Sequence, residues 1–237
     1  MVCISMDLSI IFILLTGLGL GLAHSLDPDH VVAVSTLLCN NKSLRKSITS
    51  AIVWGIGHSV VLFIIGLLVL TLSVVIPQSV LKLFDAAAGV LLIVLGTLVL
   101  RPLIVERIQP HQIVHEHTHS HPHSHPHKHS HDHDNDNHHG HTHLHKSAIT
   151  GALQGVGGSA ALMLITLSTV SSIEIGLVFI LLFGVGVILG MVGIACLVGS
   201  VIAYTASNLE KVHKIIKVLT GTASVVFGIV IIVYALV

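Results

Sequence analysis

Residues 8–38, LSIIFILLTGLGLGLAHSLDPDHVVAVSTLL, form a long apolar run that one polar cluster interrupts. The cluster, HSLDPDH at residues 24–30, brings two imidazoles, two carboxylates and a proline into a segment that otherwise holds only apolar residues, Gly, Thr and Ser. A charged side chain at the centre of a bilayer costs about 2.5–3.5 kcal/mol on insertion scales, so such residues usually serve a function. The cluster is therefore the first candidate site, and the run around it indicates a membrane-spanning helix.

The composition of the whole chain indicates a membrane protein. Of its 237 residues, 53% are hydrophobic and only 9% are charged, and the mean hydropathy is +0.93; an ordinary soluble domain is about 25% charged. The formal net charge is zero, which excludes a broad basic surface for nucleic acid. The three cysteines form no Cys-x2-Cys pair, so we expect neither a disulfide scaffold nor a thiol relay.

The apolar segments predict an all-α integral membrane fold with six transmembrane helices. About 20 residues span the hydrocarbon core, and backbone in lipid must be helical to satisfy its hydrogen bonds. The six segments are residues 8–38, 47–76, 79–100, 147–170, 173–204 and 213–236. The first, second and fifth segments are longer than a span requires, which predicts tilt, kinks or a break.

The basic residues predict the orientation of these helices. Ten of the eleven Lys and Arg residues lie in the connections after the first, third and fifth segments, and Lys82 is the exception. By the positive-inside rule, these connections are cytoplasmic and both termini lie outside. We therefore expect a multi-pass protein of the cell membrane, surrounded by the lipid bilayer.

A weak internal repeat predicts how the six helices are arranged. The pattern Thr-Gly-x3-Gly-x3-Ser begins at residues 16 and 150, and Gly-x6-Gly begins at residues 89 and 221. Units of three spans are odd-numbered, so the second copy must be inverted relative to the first, as in many secondary transporters. We expect two three-helix membrane units, residues 1–101 and 147–237. The alternative is chance agreement among glycines in apolar sequence.

The linker between these units, residues 102–146, holds sixteen of the twenty histidines. From His115 to His133 every second residue is His, interspersed with Pro and Ser. The prolines and the lack of an apolar face predict a disordered, metal-binding cytoplasmic loop. It could collect, buffer or sense metal, because neutral imidazole binds divalent transition ions. The alternative is a dispensable low-complexity linker.

The polar cluster of the first segment has the chemistry of a metal site. On a straight helix His24, Asp27 and His30 lie within an arc of about 120°, and Asp29 points about 100° further round. Pro28 cannot donate a backbone hydrogen bond, so we expect the helix to kink or open there and the side chains to converge. Imidazole and carboxylate donors together favour a borderline ion such as Ni²⁺, Co²⁺ or Zn²⁺.

His58 in the second segment is a further candidate ligand. Counted from the cytoplasmic ends of their segments, His30 lies about 12 Å deep and His58 about 16 Å deep, so their depths are compatible. Gly55 and Gly57 allow the two helices to approach closely. A lone His in a membrane helix can instead be a structural hydrogen-bonding residue, but the neighbouring cluster favours ligation.

These motifs resemble a known family. The pattern His-x4-Asp-His at residues 24–30, followed by Gly-His-Ser-Val-Val at residues 57–61, resembles the signature of the nickel/cobalt transporters, the NiCoT and NicO group. The positions that carry the family's metal-recognition motif are His24, Asp29, His30 and His58. Six spans and a cytoplasmic His-rich loop are similar to the shorter NicO and efflux branch, whereas the Asp-His ending is similar to the uptake signature.

The residues and the resemblance together predict a secondary transporter of Ni²⁺ or Co²⁺, with uptake favoured and efflux as the alternative. His24, Asp29, His30 and His58 would bind the ion, and Asp27 would be a fifth ligand or a countercharge. No Gly-x4-Gly-Lys-Ser/Thr motif occurs, so ion gradients, membrane potential or a separate subunit would supply energy. We expect no cofactor; a cytoplasmic metallochaperone is a candidate partner.

An alternative of another class is an intramembrane metalloenzyme. It would require a pattern such as His-Glu-x2-His, with the carboxylate as general base, and the chain has none. The prediction is therefore that the chain is not an enzyme.

Overall fold

The computed structural model describes residues 8–39, 41, 43–72, 76–108, 140–155 and 172–237, and these residues form helices joined by short connections without any β-strand. The helices are α1 (Leu8–His24), α2 (Pro28–Leu38), α3 (Leu44–Leu72), α4 (Gln78–Ile108), α5 (Gly140–Gln154), α6 (Ile173–Asn208) and α7 (Glu210–Leu236). The prediction of an all-α fold is confirmed for this part of the chain. Most of the predicted His-rich loop and residues 156–170 of the fourth predicted span lie outside the described residues.

Four of these helices are long and apolar enough to cross a membrane: α3, α4, α6 and α7. A fifth span is formed if α1 and α2 are counted as one broken helix, since their axes differ by 57° at a short break. The prediction of a multi-pass membrane protein is therefore confirmed. The fourth predicted span begins in α5, so the number of six spans depends on residues beyond the described part.

The break between α1 and α2 lies directly before Pro28. Its ring has no N–H, and proline is well tolerated at the first helical position, where that donor would have no partner within the helix. Asp27 precedes it with an extended backbone, φ −57° and ψ 137°. The helix ends at His24, as the proline predicts, and the chain starts a new helix in a different direction.

The two halves of the chain interlock, because the most extensive helix contacts join one half to the other. Helix α1 packs along α6, α3 packs along both α6 and α5, and α4 packs along α7. Within the first half, α2 contacts α3 and α4 over smaller areas. Neither half is a compact body by itself.

Glycines bring these helix pairs into close contact and reveal their directions. Gly17 lies against Phe179 and Gly21 against the Phe183 carbonyl, so α1 and α6 run the same way. Between α4 and α7 the glycine contacts at residues 89/228 and 96/221 run in opposite order, so this pair is antiparallel. The Ser224 hydroxyl donates to the Leu92 carbonyl between these two contacts, at 2.7 Å.

Two helices extend further into the predicted linker than the sequence pattern indicated. Helix α4 continues through Pro102 to Ile108, and α5 already begins at Gly140. Residues 103–108, LIVERI, are mostly apolar or good helix formers. A proline inside a helix removes one backbone hydrogen bond without necessarily ending it.

Candidate metal centre

Three imidazoles from three helices meet in the interior of the protein. His24 is the last residue of α1, His30 lies in the first turn of α2, and His58 lies at the middle of α3. The Nε2 atom of His24 lies 3.1 Å from that of His30 and 3.1 Å from that of His58. All three side chains are buried, with exposed fractions of 5%, 1% and 0%.

The spacing of these nitrogens suits a transition metal. Imidazole nitrogens bound to zinc at 2.0–2.1 Å lie about 3.3 Å apart in tetrahedral geometry. Ligand atoms of the three histidines all lie within 4.8 Å of one another, and the described residues contain no other such group of His, Cys, Asp or Glu. Imidazole donors suit Ni²⁺, Co²⁺ and Zn²⁺, whereas Mg²⁺ and Ca²⁺ prefer oxygen.

The two carboxylates of the cluster contact the other nitrogen of the rings. Asp27 Oδ2 lies 2.8 Å from His24 Nδ1, and Asp29 Oδ2 lies 2.8 Å from His30 Nδ1. A carboxylate in this position accepts the Nδ1–H bond, fixes the ring and leaves the Nε2 lone pair for a metal. The structure thus brings His24, His30 and His58 together and places both aspartates behind the imidazoles.

Aromatic rings form much of the wall around the imidazoles. The Trp54 indole is stacked on His58 with a ring separation of 5.0 Å and an angle of 17°, and it meets His30 edge-on at 5.1 Å. Phe183 from α6 lies 5.4 Å from the His24 ring. These rings exclude water from the imidazoles on one side.

The sequence analysis did not identify Gln154, which lies at the end of α5. Its side chain is fully buried, its Oε1 accepts the indole N–H of Trp54 at 3.2 Å, and its Nε2 donates to the Asp29 carbonyl at 3.4 Å. The signal that could have drawn attention to it is a long amide side chain in an otherwise apolar segment. Its partners, 100 and 125 residues away, could not be identified from spacing.

A cavity leads to the carboxylate side of the site. It has a volume of about 720 Å³ and lies between the first turns of α2 and α4 and the last turns of α7. Asp29, Lys82 and Asp85 contribute its charged groups, and its other walls are mostly apolar. Since Asp29 contacts His30, this residue lies between the cavity and the imidazoles.

Fold and site together define a class: a multi-pass helical membrane protein with a buried cluster of imidazoles suited to a transition metal. Residues 10–237 match the family model described as a high-affinity nickel-transport protein, NicO. The chain belongs to this NicO family of nickel transporters. The family resemblance inferred from the motifs is therefore confirmed.

A curated relative extends the match over nearly the whole chain. The urease accessory protein UreH of Bacillus sp. (strain TB-90) is 34% identical over 223 residues, which cover 94% of this chain and 91% of the relative. No solved structure matches the chain significantly. The family is one of transporters, so the prediction that the chain is not an enzyme is confirmed and the metalloenzyme alternative has no support.

Proposed function

We propose that this protein carries Ni²⁺ or Co²⁺ across the cell membrane and that His24, His30 and His58 bind the ion during passage. The observation that carries the proposal is the convergence of three buried Nε2 atoms from three helices. The imidazoles select a transition ion over Mg²⁺ and Ca²⁺. Asp27 and Asp29 hold two of the rings and act as countercharges; this role replaces direct ligation by the carboxylates.

The charge balance of the site supports a divalent cargo. A dication in an apolar interior is costly unless nearby negative charge offsets it. The side chains of Asp27 and Asp29 are 32% and 17% exposed and lie directly beside the buried rings. Two carboxylates and one divalent ion sum to zero charge, and metal binding releases any protons on the imidazoles.

Reciprocal helix contacts support the predicted inverted repeat. The repeat equates Gly89 with Gly221 and Gly96 with Gly228. A two-fold relation between the repeats then requires two matching contacts: Gly89 with the counterpart of Gly96, and Gly96 with the counterpart of Gly89. Gly89 contacts Gly228, and Gly96 contacts Gly221. We therefore propose that residues 1–101 and 147–237 are inverted units around a midplane site, and that they rearrange to give alternating access.

The proposed symmetry also describes how the two halves differ at the site. Gly17 and Gly21 of α1 face the backbone of Phe179 and Phe183. Their counterparts, residue 151 near the end of α5 and residue 155 directly after it, face that of Trp54 and His58. Phe183 therefore takes the place in the second half that His58 takes in the first. An apolar ring stands where a second metal ligand would be expected, so the metal site belongs to one half.

Uptake is the direction we propose. With the connections after the first, third and fifth predicted spans in the cytoplasm, the cavity at Asp29 opens to the outside, and an incoming hydrated ion would meet that carboxylate before the imidazoles. The histidine-rich loop would then receive metal in the cytoplasm, where a metallochaperone could collect it. Efflux would reverse this sequence.

Cellular metal content tests the proposal. Cells that produce the chain should accumulate more nickel or cobalt than cells without it, and His24→Ala, His30→Ala and His58→Ala should abolish the difference. His213→Ala, which removes a histidine of α7 far along the chain from the cluster, is the matched control and should accumulate as the wild type does. A fall in metal content would indicate efflux. No change for either ion would contradict transport, and intact transport by the three variants would contradict the site.

A further inference from the structure

The three imidazoles differ in what fixes their orientation. His24 and His30 each have a carboxylate on Nδ1 at 2.8 Å. The Nδ1 atom of His58 is buried and makes no hydrogen bond to any described residue. The backbone of Gly151 on α5 interacts with this ring, but outside ordinary hydrogen-bond geometry. His58 therefore lacks the carboxylate partner that each of the other two rings has.

Stacking on Trp54 takes the place of that support. The indole and the His58 ring are nearly parallel, at 17°, and their centroids are 5.0 Å apart. The two residues lie four positions apart on α3, where side chains of successive turns meet. The indole also meets His30 edge-on at 5.1 Å, so one aromatic ring contacts two of the three imidazoles.

Gln154 in turn fixes the indole. Trp54 and Gln154 are both fully buried, and the indole N–H donates to Gln154 Oε1 at 3.2 Å. The amide nitrogen of Gln154 donates to the backbone carbonyl of Asp29 at 3.4 Å. A buried amide that lost these partners would incur a desolvation penalty. The side chain of Gln154 is therefore held in this hydrogen-bonded position. It joins α2, α3 and α5 at the site.

We propose that Trp54 and Gln154 are positioning residues that do for His58 what Asp27 and Asp29 do for the other two histidines. The inference rests on the proposed three-histidine site. It adds a dependence of that site on the second half of the chain, because Gln154 belongs to α5. The geometry of the imidazoles is thus set partly by a residue that never approaches the ion.

Binding of Co²⁺ to the purified full chain in detergent tests this inference, because visible absorption of the ion reports its ligand geometry. Each measurement is taken as the difference from His24→Ala, so that binding to the histidine-rich loop cancels. Trp54→Phe keeps an aromatic face but removes the N–H, and Gln154→Met keeps the length of the side chain but removes both hydrogen bonds. Each should weaken binding about 10- to 100-fold, the usual range for residues that support metal ligands. Each should also shift the Co²⁺ spectrum toward that of His58→Ala.

The double variant separates a shared role from two unrelated ones. If both residues act through the indole N–H, Trp54→Phe with Gln154→Met should bind no more weakly than the weaker single variant. If the loss of Co²⁺ affinity in the double variant equalled the product of the two single losses, the proposal would be overturned. Thr36→Val is the matched control: its buried hydroxyl donates to the Val32 carbonyl of its own helix, so binding and spectrum should not change.

The remaining outcomes distinguish this inference from the proposed function. Native affinity and an unchanged spectrum in both variants would overturn the positioning role and leave the three-histidine site intact. A wild-type chain whose Co²⁺ binding and spectrum matched those of His24→Ala would overturn the site and the positioning role together. If Gln154→Met failed to fold, the spectrum of Trp54→Phe would still decide, because it reports the His58 ligand directly.

Discussion

Asp27 and Asp29 contact the imidazole nitrogens that point away from the neighbouring rings, at 2.8 Å each. A carboxylate at that position accepts the Nδ1–H bond and orients the ring so that its Nε2 atom faces the centre of the cluster. The site therefore has an inner layer of three imidazoles and an outer layer of carboxylates. In the proposed site, the carboxylates support the imidazoles instead of binding the ion directly, as the sequence had led us to expect.

Substitution of Asp29 tests this division of roles. Asp29→Asn keeps an oxygen that can accept the Nδ1–H of His30 but removes the charge, so Ni²⁺ affinity should fall about 10- to 100-fold. His30→Ala removes a ligand and should cost more than Asp29→Asn. Equilibrium titration of the purified chain with Ni²⁺ measures both.

Glu174→Gln provides the control for Asp29→Asn, because it neutralises an exposed carboxylate at the start of α6. Its Ni²⁺ affinity should match that of the wild type. If Asp29→Asn proved as damaging as His30→Ala, the carboxylate would be a direct ligand, as the sequence first suggested.

The convergence of His24, His30 and His58 could be predicted from sequence, but the geometry of their rings could not. The polar cluster around Pro28 and the depth of His58 were sufficient to predict that the three imidazoles lie close together. Which ring nitrogen faces the centre depends on side-chain rotamers, and these depend on packing. Gln154 was missed because its contacts cross between helices that are distant in the chain.

At the scale of helices, close contact between α1 and α6 holds the end of α1 that carries His24 in place. A Cβ atom on Gly21 would overlap the backbone of Phe183, whereas one on Gly19 would meet no atom within 4 Å. Backbone carbonyls cannot move aside as flexible side chains do, so the two glycines differ sharply in tolerance. Small residues commonly allow such close approach of membrane helices.

Alanine substitutions at these glycines give a matched pair. Gly21→Ala should separate α1 from α6 and destabilise the protein by about 1–3 kcal/mol, as overpacking does elsewhere. Gly19→Ala should be neutral or slightly stabilising, because alanine favours helix. Thermal unfolding in detergent, followed by size-exclusion chromatography, compares the two. Equal stability would show that α1 does not pack against α6 in the membrane.

Helix existence was predicted more reliably than helix ends. The apolar segments located α3, α4, α6 and α7, and Pro28 located the break before α2. The continuation of α4 through Pro102 was missed, because proline and charge after residue 100 resemble the end of a span. Local sequence predicts the apolar middle of a membrane helix well, whereas the residues at which the helix ends depend also on contacts with other parts of the chain.

At the scale of the whole molecule, the interlocked packing predicts that neither half is stable alone. Helix α4 finds its main partner in α7, and α1 finds its main partner in α6. Two separate chains, residues 1–120 and 121–237, should therefore be degraded when produced singly and should associate when produced together. Co-purification in detergent and metal accumulation in cells measure recovery. A first half that remained folded without the second would contradict the interlocked arrangement.

Removal of residues 111–139 tests the predicted role of the histidine-rich loop while leaving α4 and α5 complete. The imidazole cluster is formed by His24, His30 and His58, all of which lie outside the deleted segment. The initial rate of uptake should therefore stay within about two-fold, since surface connections tolerate change well. The final accumulated metal should fall if the loop buffers or delivers the ion. Loss of the initial rate would place the loop in the transport path.

The overall architecture was only partly predictable. Composition and hydropathy were sufficient for a multi-pass helical protein, and the repeated glycine patterns suggested two related units. The interlocking of those units could not be predicted, because the pattern of apolar residues along a helix does not identify the helix against which it packs. The contacts at Gly89 and Gly96 supplied that information.

The pairing of α4 with α7 has a consequence for synthesis. A ribosome that adds about 5–20 residues per second needs on the order of ten seconds to pass from the end of α4 to the end of α7. During that interval the first half must remain in the bilayer without its main partners, with imidazoles and aspartates facing lipid, the translocon or a membrane chaperone. Insertion of this protein therefore cannot proceed as one finished helix after another, because α4 is not fully packed until α7, the last helix, has been made.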